Sequence, residues 1–188
     1  MVIVQLKEIK KTLKSNIQNI DLQSDIKYAS VLVVIYDSNP YVLMTKKASH
    51  LNIHAGEIAF PGGKWETDDI DLLDTALRET REEIDLDVNR DDVIGQLKSV
   101  STLNSGFVIT PYVAILDKLP ILNDNHEVES ILHIPLIPFL KTLSPDLDPQ
   151  HQSIKEMYTL KFENHLVWGA SARILKQIHD LFSKNNLL

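Results

Sequence analysis

Residues 29–37, ASVLVVIYD, form a nearly unbroken apolar run. A run of that length, rich in valine and isoleucine and stopped by Ser38-Asn39-Pro40, reads as a buried strand. YVLMTKK (41–47) follows the turn as its partner strand. A buried sheet needs helices to cover it, and the flanking sequence supplies them. Upstream, Ile3, Leu6, Ile9, Leu13, Ile17 and Ile20 recur at helical spacing, so residues 1–22 are expected to carry an amphipathic helix packed on the body. Downstream, EIAF (57–60) is a short strand stopped by Pro61-Gly62-Gly63, and residues 70–84 form an acidic helix. Residues 93–103 and 107–116 read as a hairpin around Asn104-Ser105-Gly106. LPILNDN is a loop, EVESILHIP (127–135) a strand and PLIPFLK a short helix. Residues 151–162 form a strand or strand pair, and 165–182 a terminal helix. The order predicts an α+β fold, a mixed β-sheet sandwiched between helices in α/β/α layers. With no repeat, low-complexity tract or linker, residues 1–188 read as one domain.

Composition removes several classes of function. There is no cysteine, which excludes a disulfide framework, a thiolate zinc site and a cysteine nucleophile, and suits a cytoplasmic location. No segment is long and apolar enough to cross a membrane, and the N-terminus lacks the apolar core of a signal peptide. Net charge is −7, so no nucleic-acid partner is expected. An anionic small molecule remains a fit, provided that a local cation receives it.

Such a cation is suggested by the acidic helix. On a helical wheel Leu73, Ala76, Leu77, Thr80 and Ile84 share the face expected to pack on the sheet. Glu79, Glu82 and Glu83 gather on another face, at spacings of three and four residues. Three like charges so placed repel by a few tenths of a kcal/mol, about 0.2–0.5 per pair. A solvated, charged helix face is one explanation, since Arg78 and Glu82 can pair at i, i+4. A divalent cation is the other: Mg²⁺ prefers carboxylate oxygens and bridges them to substrate phosphates. Gly62-Gly63, just upstream, permits close approach of a ligand, and a glycine carbonyl could add a metal ligand.

FPGG, an acidic connector and then LRETREEIDL together resemble the Nudix box of the Nudix hydrolases, here at about residues 63–86. The connector, residues 64–77, is one residue longer than in the general signature; Asp69 stands near its first glutamate and Asp85 at its late glycine. The preceding segment, LMTKKASHLNIHAGEIAFPGG (43–63), is similar to that of the coenzyme A pyrophosphatase branch. Leu43, Thr45, Ala48, Gly56 and Phe60 to Gly63 fall in register; Lys47 and Asn52 stand where that branch has arginines. Lysine keeps the charge without the planar fork, and asparagine loses the charge.

The resemblance implies hydrolysis of a pyrophosphate bond in a nucleoside-diphosphate-linked substrate, with Mg²⁺ or Mn²⁺ held by the box. On that basis Glu79 and Glu83 are the expected principal metal ligands, with Glu82 sharing a second metal or a water and the Gly63 carbonyl as a further ligand. Arg78 is expected to orient the glutamates. Glu127 is the candidate general base, with Glu129 second. Lys47, His54, Gly56 and Gly62 are the candidate substrate contacts. The substrate expected is coenzyme A or a derivative; another dinucleotide, such as ADP-ribose or NADH, is the alternative. A nucleotide-sensing module without catalysis ranks below both, because all three glutamates are present. A homodimer is compatible with the sequence. HEVES (126–130) lacks the second histidine of a zinc motif and lies in a strand pattern, so zinc is not expected there.

Overall fold

The computed structural model describes residues 6–51, 55–102, 105–148 and 157–188. The apolar run forms β1 (Lys27–Tyr36), and β2 (Tyr41–Lys47) returns beside it. Next come β3 (Ile58–Ala59), β4 (Gly62–Lys64), the acidic helix α2 (Leu72–Ile84), β5 (Val93–Gln96), β6 (Val100–Ser101), β7 (Phe107–Leu116) and β8 (Val128–Pro135). The main sheet has the order β3-β2-β1-β7-β5, with β4 on β1, β6 on β7 and β8 on β2. β1 and β7 run parallel while the other pairs are antiparallel, so the sheet is mixed as expected.

Alternation along each strand divides the core into two layers. Val33 and Ile35 of β1, Met44 of β2 and Val113 of β7 face α1 (Leu6–Leu13) and α4 (Gly169–Lys184). Leu32 and Val34, Leu43 and Ala114 face Leu72, Leu73, Ala76 and Ile84 of α2. A short α3 (Leu136–Leu140) and a second sheet of β9 (Ser144–Pro145), β10 (Tyr158–Phe162) and β11 (His165–Val167) complete the α1/α4 side. Both faces of the central strand are thereby covered, which is what its unbroken apolar run demands.

Several boundaries differ from the sequence reading; the strand expected over 93–103, for one, is split into β5 and β6. The first helix ends at Leu13 and does not continue to residue 20. The Ser15 amide instead donates to the Ile94 carbonyl at 3.2 Å. Its hydroxyl donates to the Gln96 carbonyl at 3.0 Å, so the chain leaves the helix to run along β5. Ile17 is consequently 41% exposed. Gly95 permits this crossing, because a Cβ there would lie 2.4 Å from the Leu13 carbonyl oxygen. Gly62–Lys64 is a strand rather than a stop, since β1 supplies its hydrogen-bond partners. His165–Val167 is strand β11, and the last helix begins only at Gly169. β9 carries no strand pattern of its own and forms on β10. Asn104 of the predicted turn and residues 151–156 lie outside the described residues.

α2 begins at Leu72, two residues later than the 70–84 expected from the sequence. Asp71 is the N-cap, accepting from the Asp74 amide at 2.8 Å and from Arg90 Nη2 at 2.6 Å. Burial pushes the Asp71 carboxyl up, but Arg90 and the cap amides outweigh it and hold the group below its ordinary value of 3.8. Asp71→Ala is expected to cost about 1–2 kcal/mol at pH 7, read as a lower urea midpoint at constant slope. A depressed carboxyl stabilises above its unfolded pKa, and that contribution is lost as pH falls through the folded value. The gap between wild type and variant is therefore expected to close below pH 3.8.

Candidate active site

The glycine pair sets the site. Gly62 has φ +150°, and a Cβ there would fall 2.2 Å from the Ser30 carbonyl oxygen. Only glycine lets β4 lie this close to β1. Gly63 faces the other way, toward α2: its Cβ position lies 2.3 Å from the Glu79 carboxylate carbon. The α-carbon of Gly63 and the carboxylate of Glu79 are thus in direct contact.

The three glutamates are not on one solvated face. Glu83 is 2% exposed, turned between α2 and the sheet, and its Oε1 forms an ion pair with Lys47 Nζ from the end of β2. The Gly62 amide points at its other oxygen at a long 3.4 Å. Glu79 is half-buried and Glu82 is exposed at 52% of its side chain. The carboxylates therefore grade from the interior to solvent. Burial pushes Glu83 and Glu79 up from 4.5, with Lys47 and Arg78 respectively pulling them down. A group in that balance favours a nearby cation.

Arg78 is fully engaged. Its Nη1 donates to Glu79 at 3.0 Å and Glu82 at 3.2 Å. Nε and Nη2 grip Asp69 at 2.7 and 3.1 Å, and Nη2 also donates to the Lys64 carbonyl at 3.1 Å. The Thr75 hydroxyl and the Glu66 amide donate to Asp69 as well, at 2.8 and 3.0 Å. Arg78 thus ties the acidic connector to both glutamates. The part of Asp69 was not foreseen; the only sequence signal was its place near the first glutamate of the box.

The other expected residues divide. Lys47 reaches the site. Gly56 has φ +72° with open space around it. Its amide donates to the Lys47 carbonyl at 3.0 Å, so it closes the turn after β2. His54 and Asn52 lie outside the described residues. Glu127 is brought to the end of β2, where its carbonyl accepts from the Ala48 amide at 2.8 Å. Glu129 is the extra residue of a bulge, with Lys46 opposite Ser130 and Lys47 opposite Val128. It forms an ion pair with Lys46. The loop before β8 has a part that its sequence did not reveal. The Asn123 and Asn125 amides donate to the Ile84 and Glu83 carbonyls at 3.2 and 3.0 Å, satisfying the end of α2.

Among the described residues no three acidic or histidine side chains converge as an ion cage. The donors nevertheless suit a hard divalent cation: carboxylate oxygens of graded burial, two of them raised by desolvation, against a glycine backbone with no side chain to obstruct approach.

Residues 27–160 match the NUDIX domain family model. A Nudix hydrolase, NudL, from Yersinia pestis (strain Pestoides F) is 35% identical over 154 residues, covering 80% of this chain and 77% of that protein. Among solved structures, a MutT/nudix family protein from Enterococcus faecalis superposes with a TM-score of 0.60 at 16% identity, over 89% of this chain and 64% of that one. A NUDIX hydrolase from Alicyclobacillus acidocaldarius does so with a TM-score of 0.53 at 21% identity, over 85% of this chain and 93% of that one. The glycine cradle, the arginine-clasped glutamates and the family match agree, and this chain belongs to the Nudix hydrolases.

Proposed function

We propose that this pyrophosphohydrolase cleaves coenzyme A or a derivative, with water, to adenosine 3′,5′-bisphosphate and 4′-phosphopantetheine. The observation that carries the hydrolytic reading is the contact of Gly63 with Glu79 beside the Lys47–Glu83 pair. The choice of coenzyme A is supported by the resemblance of residues 43–63 to that branch. Lys47, standing where the branch has arginine, favours a second reading with another dinucleotide, ADP-ribose or NADH.

In either case Glu79 and Glu83 are the proposed ligands for Mg²⁺ or Mn²⁺, with Glu82 at a second metal or a water and the Gly63 carbonyl as a further ligand. Such an ion would neutralise charge on the phosphoryl oxygens and lower the pKa of bound water. Arg78 keeps Glu79 and Glu82 in position. Lys47 and the Gly62 amide already direct donors at the Glu83 carboxylate, and the same groups would meet substrate oxygens. Glu127 is the proposed base, and the hydrogen bond from the Ala48 amide to its carbonyl keeps it beside Lys47. We read residues 1–188 as one domain, because α1 and α4, which lie outside the family match, share a core with the sheet. No helix among the described residues is long and apolar enough to cross a membrane, which accords with a cytoplasmic enzyme.

The test is a substrate panel of coenzyme A, acetyl-coenzyme A, ADP-ribose, NADH and diadenosine polyphosphates, each with Mg²⁺ and with Mn²⁺, and products read by chromatography. Adenosine 3′,5′-bisphosphate from coenzyme A is the expected result. Cleavage of another dinucleotide with coenzyme A intact would transfer the assignment to the second reading.

A further inference from the structure

We propose a second anion site beside the glycine pair: Lys27 and Lys64, gathered over the ring of Phe107, seat a phosphomonoester that the substrate carries outside its pyrophosphate linkage. This inference rests on the hydrolytic reading above and adds to it a determinant of substrate choice.

The strand register places these residues together. Lys27 stands opposite Phe107 across the parallel β1–β7 pair. Lys64 stands opposite Ala29 across the antiparallel β1–β4 pair. Lys27 and Ala29 are two residues apart, so all three side chains leave the same face of the sheet. Each ammonium nitrogen lies 5.8 Å from the centre of the Phe107 ring. The ring attracts both cations.

Charge is what makes this pair informative. The chain carries 26 acidic against 19 basic residues, so a lysine has carboxylates to spare as partners. Among the described residues, Lys27 and Lys64 nonetheless form no ion pair, although Asp25 and Glu66 are each two residues away. Both lysines are exposed and Phe107 is partly buried. Two like charges on one ring repel, and a dianion lying across them reverses the sign of that energy. Two cations are too few to follow a nucleic-acid backbone, and they match one phosphate group.

The position ties the pair to the reaction site. Lys64 follows Gly63 directly, and its carbonyl accepts from Arg78 at 3.1 Å. Gly63 pairs with Ser30, three residues from Lys27; at a strand rise of about 3.3 Å per residue the two are roughly 10 Å apart along the sheet, the span of a nucleotide. Lys64 leaves the face opposite Gly63, so the ligand must pass the edge of β4, whose strand partner among the described residues is β1 alone. In coenzyme A the group concerned is the ribose 3′-phosphate.

The test compares kcat/KM for coenzyme A and dephospho-coenzyme A, which differ in that phosphate, in wild type and in Lys27→Gln/Lys64→Gln. Wild type is expected to favour coenzyme A by about tenfold or more, the size of a charge-assisted contact. In the double variant the two substrates are expected to converge to within about twofold, with circular dichroism unchanged. A wild-type ratio near one, or a ratio that survives in the double variant, overturns the proposal while leaving the hydrolytic assignment in place. If wild type cleaves neither substrate, the coenzyme A reading fails by itself. The pair is then judged by calorimetric binding of adenosine 3′,5′-bisphosphate against AMP. Tighter binding of the bisphosphate that is lost in the double variant supports the site, and equal binding overturns it.

Discussion

Alanine at Gly62 is expected to prevent stable folding, whereas alanine at Gly63, one residue on, leaves the protein folded and inactive. At Gly62 the new Cβ would sit 2.2 Å from the Ser30 carbonyl oxygen and 2.6 Å from the Val31 α-carbon. Both obstacles are backbone of the central strand and cannot move aside. The φ of +150° adds strain for any side chain. A cost of about 4 kcal/mol or more follows, a large share of the roughly 5–15 kcal/mol that stabilises a domain. At Gly63 the obstacle is different: the end of the Glu79 side chain, with its carboxylate atoms 2.3–2.5 Å away. That side chain can rotate, and in rotating it leaves the position from which it would serve the reaction. A displacement of about 1 Å is enough for a 10²-fold loss. Thermal denaturation and turnover on the substrate found by the panel separate the two outcomes. A Gly63→Ala enzyme that is folded and fully active would show that the contact with Glu79 has no part in the reaction.

The same two residues show what a sequence discloses and what it withholds. Side-chain pattern revealed β1, β7 and the inner face of α2, because each buries a periodic apolar set and little else could satisfy it. β4 was not legible: Gly-Gly-Lys has no apolar pattern, and the strand exists through its backbone partners on β1. The first helix is shorter than its apolar period for the converse reason. Ile17 and Ile20 continue the helical period, but Ser15 finds better backbone partners on β5. At the site, the identity of the glutamates was legible as a motif, and their environments were not. Helical spacing put Glu83 beside Glu79 and Glu82, yet Glu83 is the one turned inward, to a lysine 36 residues earlier. That pairing depends on the strand register and on a bulge at Glu129, which no local pattern encodes.

Glu83→Gln and Lys47→Met, the two halves of that pair, are expected to fail in opposite ways. Glutamine in place of Glu83 keeps the shape of the side chain and loses the charge that a divalent ion requires. Hydrolysis is expected to fall by about 10³-fold, equivalent to about 4 kcal/mol, within what a metal contributes to charge stabilisation. Methionine in place of Lys47 instead strands a buried carboxylate. Breaking such a pair from one side costs about 3–5 kcal/mol when the remaining charge stays ionised. Glu83 has an escape, since protonation removes the charge, and burial already pushes its pKa above 4.5 even with Lys47 beside it. For a carboxyl whose folded pKa is raised, stability is greatest below the unfolded value and falls as pH rises through the folded one. Metal-free Lys47→Met is therefore expected to melt near the wild-type temperature at about pH 4.5 and increasingly below it toward about pH 8. Adding Mg²⁺ or Mn²⁺ at the higher pH is expected to restore much of the difference, because the ion takes over the charge that Lys47 balanced. Differential scanning calorimetry with and without metal at both pH values reads all of this. A deficit that is the same at both pH values and indifferent to metal would mean that Lys47 contributes packing alone. It would also remove Glu83 from the proposed ligand set.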